Sequence, residues 1–100
     1  MAFRNQLREI GECYSGNRAL LRVELRQSGI GAWQVQVVDR EENRRIDSSF
    51  DNEAAARQAT ETAYRYGRQF GRWNIQRASD YDPQGTTVTP AGWEPNPVTT

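Results

Sequence analysis

Residues 20–38 read LLRVELRQSGIGAWQVQVV, and their alternation decides the fold. Leu21, Val23 and Leu25 share one face of an extended chain, while Arg22, Glu24 and Arg26 share the other. The SGIG segment is a turn with two glycines free to take positive φ. The alternation then resumes, with Trp33, Val35 and Val37 set against Gln34, Gln36 and Val38. Successive strand side chains point to opposite faces, so this pattern predicts an antiparallel hairpin with one covered and one wet face.

Downstream, DREENR is polar enough for a second hairpin loop. RRIDSSF then places Ile46, Ser48 and Phe50 inward and Arg45, Asp47 and Ser49 outward. Short loops between consecutive runs make the sheet a meander. The covering element follows at once. Asp51 is read as the N-cap, Glu53 lies in the first turn, and Phe50 is placed to staple the entry. From Asn52 the period is helical to about Phe70, with Gly71 as the stop. At about 100° per residue, Ala55, Ala59, Ala63, Tyr66 and Phe70 fall on one side, which is assigned to the sheet. The expected core is therefore Trp33, Val35 and Val37 against Ala59, Ala63 and Phe70. Gly67 inside the helix costs about 1 kcal/mol relative to alanine and marks either close contact or fraying.

Two segments stay open. LREIGECYSGNR reads as a first strand, with Ile10 and Tyr14 pointing one way, although Phe3, Leu7 and Ile10 also have helical spacing. RWNIQ is either a return strand or a wrap of Trp73 and Ile75 against the helix end. The expected fold class is α+β: an antiparallel meander of three or four strands, one long helix on one face, and a flexible C-terminal tail.

The 100 residues suit one domain, and residues 78–100 hold all four prolines, so the folded domain is drawn at 1–77 and the tail at 78–100. A chain of that size buries only about 60–65% of its unfolded surface, so a homodimer would add stability. The 13 basic residues are all arginine and all precede residue 78, where 10 acids accompany them; the domain is +3 and the tail −3. There is no histidine and one cysteine, Cys13. An intrachain disulfide and Cys–His or Ser–His catalysis are excluded, and no cofactor or metal motif is present. No apolar run is long enough for a membrane span and no signal peptide is evident, so the expected location is the cytoplasm.

The YSGN turn, the WQVQV strand and the FDNEAAARQA helix start resemble a pattern shared by small bacterial sheet-plus-helix domains of unknown function. The resemblance covers about positions 10–72. The same strand–strand–helix order occurs in integrase arm-binding DNA domains and in some phage-encoded inhibitors of host defence. It implies the fold and says little about function.

Three surfaces are candidates. On the helical wheel Arg57, Glu61, Tyr64, Arg65, Arg68 and Arg72 share the face opposite the alanines, a positive strip read either as a solvated face or as a docking row for an acidic protein or phosphates. The wet sheet face carries Arg22, Glu24, Arg26, Gln34, Gln36, Arg45 and Asp47, whose acids are expected to pair across strands and weaken nucleic-acid binding. Trp93 in the tail is a candidate anchor for a partner. No acid, base and oxyanion donor converge, Glu9 and Glu12 beside Cys13 being no more than a nominal carboxylate pair. The expectation is a non-catalytic module acting on a partner protein, with nucleic-acid binding as the alternative.

Overall fold

Alternation becomes strand on both sides of the hairpin that announced it. The structure, a computed structural model, describes residues 6–81. Its elements are β1 Gln6–Ser15, β2 Arg18–Gly29, β3 Ala32–Asp39, β4 Arg44–Phe50, α1 Glu53–Gly67 and β5 Arg72–Arg77. The sheet is antiparallel with order β4-β3-β2-β1-β5.

The sheet thus has five strands, against the expected three or four. The first segment is a strand, with Ile10 and Tyr14 on the face away from α1. RWNIQ is the return strand, paired along β1 from Tyr14↔Arg72 to Glu9↔Arg77. Its partner lies some sixty residues upstream, so no hairpin signal announces it. In the turn after β2 it is Gly31, at φ 71°, that uses the freedom to take a positive value.

Register puts Val23 beside Val37 and Gly11, and Leu25 beside Val35 and Glu9. Cys13, Val23, Leu25, Trp33, Val35 and Trp73 form the buried floor under the helix. Val37 is only half-buried against it.

The helix differs from expectation in start, end and rotation. Asn52, not Asp51, is the N-cap: its Oδ1 accepts from the Ala55 N–H at 2.8 Å. The last helical residue is Gly67, not Phe70. The buried positions are Ala56, Arg57, Thr60, Tyr64 and Gly67. Ala59 and Ala63 are half-buried against the core, and Tyr66 and Phe70 are 55% and 50% exposed, so Phe70 does not belong to the core.

Close packing explains the rotation. The Trp73 ring lies against Gly67, where a Cβ would overlap its indole, and Trp73 Nε1 donates to the Tyr64 carbonyl at 2.8 Å. Tyr64 in turn lies over Gly11, where a Cβ would stand 2.8 Å from its ring. The two aromatic rings are 4.8 Å apart. Alanines cannot fill that space, so the aromatic side of the helix turns down. Gly67 therefore marks close contact.

From β5 as far as Tyr81 the chain stays on the domain. Ala78 packs on the core, and Tyr81 is 9% exposed with its ring 6.2 Å from that of Trp33. The first four residues assigned to the tail thus belong to the packed structure. The rest of the tail reading, with Trp93, lies outside the described residues.

Candidate functional site

A charged residue in line with Gly11 and Cys13 on the inner face of β1 should meet a partner, because an unpaired buried carboxylate is expensive. Glu9 is that residue, and its side chain has no solvent exposure. Arg57 donates from Nη1 to Oε1 at 2.9 Å and from Nη2 to Oε2 at 2.7 Å. The Tyr64 hydroxyl donates to Oε2 at 2.6 Å, and Arg77 Nε donates to Oε1 at 2.5 Å. Arg57 also reaches the Tyr81 hydroxyl at 3.3 Å and pairs with Glu61 at 3.0 Å, four residues along the helix. One carboxylate thereby ties β1, α1 and β5, and through Arg57 the segment after β5.

The electrostatics follow. Burial alone would push the Glu9 carboxyl up, but the Arg57 hydrogen bonds and charge, with the bonds from Tyr64 and Arg77, outweigh it and hold the pKa below the usual carboxylate value. Tyr64 is pushed well above the ordinary tyrosine value by burial and by the Glu9 charge. Tyr81 is pushed up to about 12, chiefly by burial. A carboxylate with four donors and no exposed surface offers nothing to a solvent-borne substrate. This cluster is structural.

Arg57 and Tyr64 accordingly leave the positive strip in which the helical wheel put them: both are buried and spent on Glu9. Arg65, Arg68 and Arg72 are exposed, and none makes an ion pair among the described residues. Arg72 lies on β5, whose alternation turns it to the sheet face opposite Trp73 and away from α1. Sequence reasoning set Glu9 aside as half of a pair with Glu12. Three residues apart on one strand, the two face opposite ways. The signal that finds Glu9 is a lone charge on an apolar strand face.

On the wet face the acids do neutralise the arginines, largely along strands rather than across them. Glu24 is held by Arg22 and Arg26, two residues to either side on β2, at 2.9 and 2.8 Å. Glu12 crosses to Arg22 at 2.9 Å and to Arg40 at 3.3 Å. Arg45 pairs with Asp47 on β4 at 3.5 Å. A chain Arg40–Glu12–Arg22–Glu24–Arg26 therefore crosses the centre of this face with its charges already engaged.

The surface left over lies at the C-terminal end of α1. Tyr66 and Phe70 stack edge to face at 5.2 Å, both half-exposed. They overhang a cleft of about 300 Å³ floored by Leu20 and Leu21 and closed at one side by the Arg18–Glu41 pair at 2.8 Å. Arg65 and Arg68 stand on the same end of the helix. Among the described residues no cluster of carboxylates and cysteine could hold a metal ion, and no helix is long and apolar enough to cross a membrane.

No family model, no curated protein and no solved structure matches the chain. The fold and its surfaces define a class all the same: a small α+β domain, an open antiparallel sheet under one helix, locked by a buried ionic cluster and presenting an aromatic cleft.

Proposed function

We propose that the chain is a non-catalytic binding module that docks a partner protein on the surface around Tyr66 and Phe70. The observation that carries this reading is the half-exposure of that stacked pair, at 55% and 50%, over an open cleft. In the same domain Trp33, Tyr64, Trp73 and Tyr81 are buried. Aromatic residues and arginine are enriched where protein interfaces concentrate their binding energy. Arg65 and Arg68, exposed and without ion pairs among the described residues, favour an acidic partner with an apolar anchor for the cleft. The catalytic alternative finds no support in the Glu9 cluster, and the nucleic-acid alternative is disfavoured by the ion pairs that already engage Arg22, Arg26, Arg40 and Arg45 on the sheet face.

The test uses the full chain as bait in its source cell, beside a Tyr66→Ser/Phe70→Ser variant. A partner captured by both copies of the bait, with affinities within a factor of two, places docking elsewhere. The expected result is a partner whose affinity falls at least tenfold, about 1.4 kcal/mol, in a variant that melts like the parent. Arg65→Glu/Arg68→Glu should slow association and reverse its salt dependence.

A further inference from the structure

We infer that β4 is a self-association edge: two copies pair antiparallel through residues 44–48, about a two-fold axis at Ile46, with Arg45 of each copy opposite Asp47 of the other. The inference is independent of the docking surface at Tyr66 and Phe70.

The two edges of the sheet are not alike. β5 closes one side, and its inner side chains are engaged: Trp73 bonds the Tyr64 carbonyl and Arg77 bonds Glu9. β4, at the other edge, is left short of cover. Ile46 belongs to the helix-side face, since it pairs with Val37, yet it is 65% exposed.

Natural sheets protect such edges with proline, bulges or short strands. β4 has seven residues, no proline or glycine, and a regular register with β3 from Trp33↔Phe50 to Asp39↔Arg44. Its protection is limited to charge, and the charge is self-complementary. In an antiparallel pair, opposed residues lie on the same face and interact directly. A two-fold axis at Ile46 sets Ile46 against its own copy on the helix side and makes two Arg45–Asp47 pairs on the other. An axis at Arg45 or at Asp47 would instead oppose like charges, and one at Ser48 would leave Asp47 facing Ser49. Arg45 and Asp47 now share only a 3.5 Å contact along their own strand and are 63% and 59% exposed, so both can turn to a second copy. The interface is isologous and closes on itself, giving a dimer rather than a fibre.

The test is sedimentation of the full chain at tens of micromolar, with disulfide trapping. We expect a mass of twice 11.5 kDa that dissociates on dilution. Cα atoms opposed across an antiparallel pair lie about 4.5–5.5 Å apart, within disulfide reach. Ile46→Cys should therefore give a covalent dimer under mild oxidation, faster than Ser48→Cys, while the buried native Cys13 stays out of the reaction. Asp47→Arg should weaken the dimer at least tenfold, and Arg45→Asp/Asp47→Arg should restore it. A monomer at every concentration overturns the inference. So does faster trapping through Ser48→Cys, or a dimer indifferent to Asp47→Arg. A dimer lost instead in Phe70→Ser assigns self-association to the aromatic surface and also overturns it.

Discussion

Arg57 on α1 grips the carboxylate of Glu9 on β1 with both terminal nitrogens, at 2.9 and 2.7 Å, across 48 residues of chain. Both side chains are almost wholly shielded, at 10% and 0% exposure. These two buried charges tie the helix to the first strand, and Arg77 on β5 joins the last strand to the same carboxylate.

Removing Arg57 takes two of the four donors from a fully buried carboxylate and leaves it Arg77 and Tyr64; breaking a buried pair in this way costs about 3–5 kcal/mol. Arg57→Ala should therefore lower the melting temperature by more than about 12 °C in a domain of this size. Arg65→Ala, an exposed change eight residues along, should stay within about 0.5 kcal/mol of the parent. Calorimetric melting checks both, and equal small effects would mean that the pair contributes little.

The same cluster sets an acid limit. The Glu9 pKa is held below its ordinary value of 4.5, so its contribution is full above that pH and is lost as pH falls through the depressed folded value. Glu9→Gln lacks this contribution. The stability gap between parent and Glu9→Gln should be constant near neutrality and shrink below about pH 4. Denaturant titrations at several pH values measure it, and a gap that stays constant down to pH 3 would contradict the depressed pKa.

Gly67→Ala separates helix propensity from packing. In an exposed helix the change gains about 1 kcal/mol. Here the added methyl would overlap the Trp73 indole, so the variant should melt below the parent, with altered tryptophan fluorescence. A higher melting temperature would show that the helix end can move off β5.

Arg65, Arg68 and Arg72 supply at most three phosphate contacts. On duplex DNA each contact contributes about −0.9 to the slope of log affinity against log salt, so the slope should not exceed about −3. Dissociation constants for random oligonucleotides should be weaker than roughly 10 μM at physiological salt. Fluorescence anisotropy measures both. Submicromolar binding that Arg65→Ala/Arg68→Ala abolishes would replace the protein-docking reading with a nucleic-acid one.

What the sequence determined by itself was the local architecture. Alternation in residues 20–38 and 44–50 specified strands and their wet and covered faces, because a strand's period of two is a property of neighbouring residues. Polar or glycine-bearing segments marked the hairpins for the same reason. Only the tertiary structure decided how the helix is rotated and which of its polar groups are buried. The wheel counted Ala55, Ala59 and Ala63 as the inward face because it weighs each side chain against water. Arg57, Thr60 and Tyr64 go inside because their partners are already there. Thr60 bonds the Ala56 carbonyl one turn back, while Arg57 and Tyr64 meet Glu9 from a strand about fifty residues away. β5 was undecided for the same reason, since its pairing with β1 exists only once the helix has crossed the sheet. Periodicity reports what a residue prefers in solvent; a buried charge is placed by the opposite charge that folding brings to it.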